Sequence, residues 1–153
     1  MYFNKSAGNL PAFARALFLV SAEAYPTGSP WTEKQFLEHL LQHGSHYFFV
    51  LKAGAVVGYL GIQTVLDESE IMNFAVLPSY KRLGLGKQLM AECVSFLKQE
   101  AVQTLFLEVR EGNIAALNFY KRNGFKKIGS RSGYYHHPVE DAVLMSLNIQ
   151  EVT

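Results

Sequence analysis

The densest concentration of chemistry in this chain lies in the run Lys81-Arg82-Leu83-Gly84-Leu85-Gly86-Lys87. Gly84 and Gly86 stand at the start of an amphipathic stretch whose apolar residues Leu85, Leu89, Cys93 and Leu97 recur every fourth position, the spacing of one helix face. Helix interiors penalise glycine, so a pair at a helix start points to a backbone that must come close to something. First-turn N–H groups, the positive end of the helix dipole and the cations Lys81, Arg82 and Lys87 converge there. That combination suits a phosphate or pyrophosphate. An ordinary solvated cationic loop is the alternative. A Walker loop is excluded, because Gln88 follows Gly86-Lys87. A dinucleotide fingerprint is excluded, because position 89 is leucine.

Two further residues have acid–base chemistry. Glu108 lies inside the apolar run Leu105-Phe106-Leu107-Glu108-Val109. In a central strand, with both faces largely covered, such a carboxylate is costly without a partner, and it suits a general base near neutral pH. The alternative is a partly solvated glutamate paired with Arg110 or a lysine. Tyr120 shares a helix face with Ala116 and Leu117, which is the pattern of packing, yet a phenol can also donate a proton. Asn113 reads as a helix cap. Cys93 is the lone cysteine, so no disulfide framework exists, and its place on the apolar stripe makes it core. His136, His137, Glu140 and Asp141 are ligand types, but their loop context and the want of a further ligand speak against a metal.

The elements that must position these groups can be read in order. Tyr2–Ser6 is a short edge strand. Asn9 caps a helix to about Ala24, apolar nearly all round and therefore covered. Its lysine-flanked apolar run imitates a secretory signal, but Arg15, the Asn9 cap and Pro11 favour a buried helix of a cytoplasmic protein. Thr32 and Gln35 open a second helix, ended by His43-Gly44-Ser45. Strands follow at 47–52, 55–65 and 71–76, with turns at Ala53-Gly54 and 66–70. The glycine-loop helix runs to about Glu100, a parallel strand occupies 104–110, and a short helix runs from Ile114 to Arg122. Strands at 125–130 and 142–147 close the chain, joined by a tyrosine- and histidine-rich loop. The expected fold is a mixed α+β sheet of six to seven mostly antiparallel strands, with a central parallel pair and helices on both faces.

At 153 residues, 49% hydrophobic and 18% charged, the chain is expected to be one globular domain spanning 1–153. A net charge of +1 gives no pull toward nucleic acid or anionic membranes, although basic residues cluster at 81–87 and 121–131. An RNA-binding reading of the second cluster lacks an aromatic stacking platform.

The motifs taken together resemble the GNAT superfamily of N-acetyltransferases. They are Asn73-Phe74-Ala75-Val76, the glycine loop, Leu107-Glu108-Val109-Arg110, Asn113-x-x-Ala116-x-x-x-Tyr120 and Asn123-Gly124-Phe125. Lys81 stands where that family usually carries Gln or Arg. Pro30-Trp31-Thr32-Glu33-Lys34-x-Phe36, Val65-Leu66-Asp67-Glu68 and Tyr134-Tyr135 followed by Glu140-Asp141 narrow the resemblance to the bacterial ribosomal-protein alanine N-acetyltransferases. The resemblance implies acetyl-CoA as co-substrate, held by Phe74, Ala75, Val76, residues 81–87 and Asn113. It implies Glu108 as base, Tyr120 as acid, and Trp31, Tyr134 and Tyr135 lining the acceptor side, with no metal. The acceptor implied is a protein N-terminus, possibly of a ribosomal protein. Two loops depart from the subfamily: Thr27-Gly28-Ser29 lengthens one, and Tyr134–Asp141 looks short. Acceptor identity, a small-molecule amine and a non-catalytic acyl-CoA sensor therefore stay open at this point, as does oligomeric state.

Overall fold

The computed structural model describes residues 1–136 and 139–153; His137, one of the candidate ligands above, lies outside the described residues. Its elements in chain order are α1 (Leu10–Ala24), α2 (Glu33–Leu41), β1 (Ser45–Lys52), β2 (Ala55–Val65), β3 (Glu68–Val76), α3 (Leu85–Gln99), β4 (Thr104–Arg110), α4 (Ile114–Arg122), β5 (Lys126–His136) and β6 (Val139–Asn148). The strands form one six-stranded sheet in the order β1-β2-β3-β4-β6-β5, in which β3 and β4 run parallel. Two compact units divide the chain, one of residues 1–64 and 72–96, the other of 65–71 and 97–153.

Local chemistry sets the element ends in the first unit. The Asn9 side chain accepts from the Ala12 N–H at 3.0 Å and starts α1. Pro26 forces Tyr25 into extended backbone and stops it. Thr32 and Gln35 make a reciprocal capping box for α2, at 2.9 and 3.1 Å. Ala53 and Gly54 take positive φ of 51° and 79°, which joins β1 to β2 by a turn whose twist matches the strands. The core of this unit collects Phe13, Leu17, Phe36, Leu40, Tyr47 and Tyr59, each 7% exposed or less. Gly61 is required by it: a Cβ there would lie 2.3 Å from the Tyr47 ring. The α1 helix is covered on one face only, for Leu19 is 52% exposed. Its apolar run suggested coverage all round, and an exposed leucine on an otherwise seated helix is ordinary. Tyr2–Ser6 is not a strand; Tyr2 alone makes an isolated bridge to Phe48.

The second unit is built on β4 and its neighbours. Leu105, Leu107 and Val109 are buried and alternate with the half-covered Phe106, Glu108 and Arg110. On β6 the matching buried residues are Val143, Met145 and Leu147. β3 begins at Glu68, well inside the stretch expected to be turn, because a parallel neighbour completes its ladder: Glu68, Ser69 and Glu70 pair with Thr104, Leu105 and Phe106. β5 and β6 likewise run further than expected, to His136 and from Val139, so Tyr134, Tyr135, Glu140 and Asp141 sit in a strand hairpin and not in a loop. Aromatic and β-branched side chains favour this extended state. Register shifts interrupt the hairpin between Lys127 and Gly129 and between Arg131 and Tyr135.

Candidate active site

The glycine loop closes a 3-10 turn at Pro78–Tyr80 and leads directly into α3. Arg82 and Gly84 both take positive φ, 64° and 78°. A Cβ at Gly84 would meet nothing within 4 Å, so open space lies over the backbone where a ligand could approach. The first helical bond runs from the Gln88 N–H to the Gly84 carbonyl at 3.0 Å. The N–H groups of Leu85, Gly86 and Lys87 form the first turn, which has no intrahelical acceptors. Leu85 is 6% exposed and pins the helix start, whereas Lys81, Arg82, Leu83 and Lys87 are all exposed. An anchored backbone, open donors and exposed cations fit a pyrophosphate.

Upstream on β3, Ala75 is buried and Phe74 and Val76 are half-buried. Two residues that the motifs did not single out hold this segment. The Tyr25 hydroxyl donates to the Phe74 carbonyl at 3.1 Å, and the Tyr59 hydroxyl donates to the Asn73 side-chain oxygen. Burial pushes both phenols above their ordinary range. Gly58 brings β2 close as well, for a Cβ there would lie 3.3 Å from the Val76 side chain and 3.4 Å from the Ala75 carbonyl. Only the buried aromatic character of Tyr25 and Tyr59 could have signalled these roles. Trp31 packs against the same core cluster as Ala75, its ring meeting Phe36 at 5.2 Å and His39 at 5.3 Å, both edge-on. His39 is itself buried between the Tyr47 hydroxyl (2.7 Å) and Gln63 (2.9 Å).

In the second unit Glu108 lies on the half-covered face of β4, with a side chain 17% exposed. Among the described residues its ion pair is with Arg131, at 3.1 Å, where the sequence offered Arg110 or a lysine. Arg110 instead pairs with Glu140 at 3.4 Å, while Glu140 also accepts from the Gly112 N–H at 2.9 Å. Asp141 accepts from the Gly133 N–H at 2.9 Å. Glu140 and Asp141, two of the considered metal-ligand types, are thus engaged in tying the hairpin down. The two arginines also stack: Arg110 lies 4.2 Å from the Tyr135 ring centroid and Arg131 lies 5.1 Å from that of Tyr134. Glu70, unnoticed in the motifs, belongs to the same group. Burial raises its carboxyl above the ordinary value and the nearby Glu108 carboxylate adds to the rise, with Arg131 acting in the opposite sense.

Asn113 caps α4, its side chain accepting from the Ala116 N–H at 3.1 Å. Tyr120, half-buried on that helix, packs edge-on against Phe119 (5.5 Å) and Phe125 (5.4 Å). Its carbonyl accepts from the N–H groups of Asn123 and Phe125, which fixes the helix end beneath the ring. Glu108, Arg131, Tyr134 and Glu70 are therefore brought together, Tyr120 and Asn113 share one short helix, and the glycine loop and Phe74–Val76 belong to the first unit.

A mixed sheet with one parallel pair, a glycine-bearing helix start and a carboxylate on the strand after that helix define an acetyltransferase. The chain belongs to the acetyltransferase (GNAT) family, whose model matches residues 11–125. Among its relatives is the ribosomal protein bS18-alanine N-acetyltransferase of Escherichia coli (strain K12), 38% identical over 124 residues that cover 78% of this chain and 82% of the relative. The crystal structure of the ribosomal-protein-S18-alanine N-acetyltransferase from Escherichia coli superposes with a TM-score of 0.84 at 33% identity, covering 93% of this chain and 91% of that one. An aminoglycoside 6′-N-acetyltransferase complexed with coenzyme A shares the fold at 13% identity, with a TM-score of 0.79 and 97% of each chain covered. Among the described residues no helix is long and apolar enough to cross a membrane.

Proposed function

We propose that this protein transfers the acetyl group of acetyl-CoA directly to the N-terminal amine of a protein, with an alanine-starting ribosomal protein of the bS18 type as acceptor. The observation that carries this reading is the relatedness to the Escherichia coli enzyme of that name, 38% identical over 78% of this chain. The residues present are compatible with each part of the chemistry. Residues 81–87, with open backbone at Gly84 and exposed cations, suit the CoA pyrophosphate. Asn113, the cap of α4, is assigned to the same co-substrate. The Ala75 and Val76 backbone, held through Phe74 by Tyr25, would donate to the thioester carbonyl oxygen as charge develops on it.

Glu108 takes a proton from the acceptor's ammonium, directly or through water, and the free amine attacks the thioester carbonyl. The C–N bond forms as the C–S bond breaks, the electron pair leaves with sulfur, and the Tyr120 hydroxyl supplies the proton that yields free CoA thiol; the second proton, shed by the nitrogen as it becomes an amide, restores the Tyr120 hydroxyl directly or through water. No covalent enzyme intermediate is required, since holding both substrates together supplies much of the acceleration. Trp31, Tyr134 and Tyr135 line the acceptor side in this reading, and residues 1–153 act as one cytoplasmic acetyltransferase domain.

The experiment is CoA release from acetyl-CoA against peptides with different N-terminal residues, with polyamines and aminoglycosides as controls. Turnover on an Ala-starting ribosomal peptide is expected. Efficient turnover of a small amine with none on Ala- or Ser-starting peptides would overturn the acceptor assignment.

A further inference from the structure

Glu108 is already occupied by a cation of the protein's own. The Arg131 guanidinium sits 3.1 Å from its carboxylate and, on the same excursion, 5.1 Å from the Tyr134 ring centroid. A carboxylate beside an aromatic face is an arrangement that holds cations. The acceptor also arrives as a cation and has to give its proton to Glu108. We propose that Arg131 is an internal competitor for the acceptor's ammonium at Glu108 and Tyr134, and that Glu70 is the carboxylate that receives its guanidinium when an acceptor displaces it. The inference rests on the roles given above to Glu108 and Tyr134.

Strand register makes the exchange possible. Arg131 is opposite Ala142 on β6, and Glu108 is opposite Leu144 of the same strand. The arginine therefore reaches Glu108 across β6, past Leu144, whose side chain lies over Gly129 on the neighbouring strand. Glu70 pairs with Phe106, two residues before Glu108, so both glutamates project from one face of the sheet, one pleat apart. The positive charge of Arg131 acts on Glu70 in the attractive sense, against the burial and the Glu108 charge that raise its carboxyl. The arginine side chain is 56% exposed, and exposed pairs of this kind are worth at most about fivefold in an equilibrium. A peptide anchored by further contacts can displace it; a small amine with none is disfavoured. Arg131 would thus determine specificity without taking part in bond making.

The test compares the wild-type protein with R131Q, R131K, E70Q and the double variant R131Q/E70Q. An Ala-starting peptide and a simple primary amine serve as acceptors. R131Q should lower the acceptor KM by about two- to fivefold, most for the simple amine, with the melting temperature unchanged. R131K keeps a cation and should stay near wild type. E70Q leaves Arg131 with Glu108 alone and should raise KM by a similar factor, an effect that largely vanishes in the R131Q background. A merely structural role would lower kcat and melting temperature without this non-additivity. An R131Q variant whose KM rises, or an E70Q effect that persists in full without Arg131, overturns the proposal. Calorimetric titration of the same proteins with peptide in the presence of CoA reads the pattern without turnover. Wild-type protein that acetylates no amine defeats the proposed function, whereas peptide affinity unmoved by R131Q defeats this inference alone.

Discussion

Glu108 and Tyr120 make separable demands on single atoms. Glu108→Gln keeps the side chain's shape and removes its basicity. The rate at neutral pH should fall by about 10²–10⁴-fold and recover in part at high pH, where more acceptor is already a free amine. A kcat/KM profile over pH reads this directly, and wild-type rates throughout would return Glu108 to an ion-pairing role with Arg131. Tyr120→Phe keeps the ring against Phe119 and Phe125, so melting temperature and acetyl-CoA affinity should hold while single-turnover acetyl transfer drops, toward the lower end of the same range because a thiolate is a tolerable leaving group. Near-normal chemistry in that folded variant would assign Tyr120 to packing. The sequence offers both residues as candidates only, by type and spacing, and it does not show the ion-pair partner of Glu108. Arg110 is its neighbour along the chain, whereas Arg131 reaches it across β6 through a register that bulges shift.

The glycine-loop helix is the element whose reading from sequence needed least correction, because its signal is local: a glycine pair, flanking cations and a fourfold apolar period. Its prediction is local too. Gly84→Asp would set a carboxylate against a bound pyrophosphate, and CoA affinity measured by calorimetry should be lost. Gly84→Asn, similar in shape and also tolerant of positive φ, separates charge from backbone: it should bind more tightly than the aspartate variant. Equal affinity in all three proteins would remove the loop from the CoA site. Elements that depend on distant strands were less legible. The start of β3 at Glu68 is supported by pairing with β4, and the length of the β5–β6 hairpin by pairing across its register shifts; no window of adjacent residues records either. Tyr25, which fixes Phe74 from the end of α1, escaped for the same reason.

At the scale of the molecule, the order of the motifs along the chain made the family legible, while the ionisable groups that the fold encloses could not be found by pattern. Two histidines bear on stability. His39 is buried with both ring nitrogens in hydrogen bonds, and burial lowers its pKa below the ordinary 6.5 despite the bond to Gln63. His46 bonds the Tyr2 hydroxyl at 2.9 Å and packs 4.6 Å from Phe96. Burial, and then the charges of Lys5 and His43, bring it down to about 4. A histidine whose pKa is lower folded than unfolded binds more protons when unfolded, so stability rises with pH. The contribution is complete above the unfolded value near 6.5 and is lost as pH falls toward 4. Each histidine adds at most about 1.4 kcal/mol per pH unit in that window, less for the part-solvated His46. Glu70, raised from its ordinary 4.5, acts with the opposite sign and offsets part of the slope. Urea midpoints measured from pH 7.5 down to pH 4.5 should therefore decline, with the steepest fall below about pH 6.5. His46→Gln, which leaves the His39 network intact, should flatten the lower part of that curve. A wild-type midpoint constant across the window would mean that these rings accept protons as readily in the folded protein as in the unfolded chain.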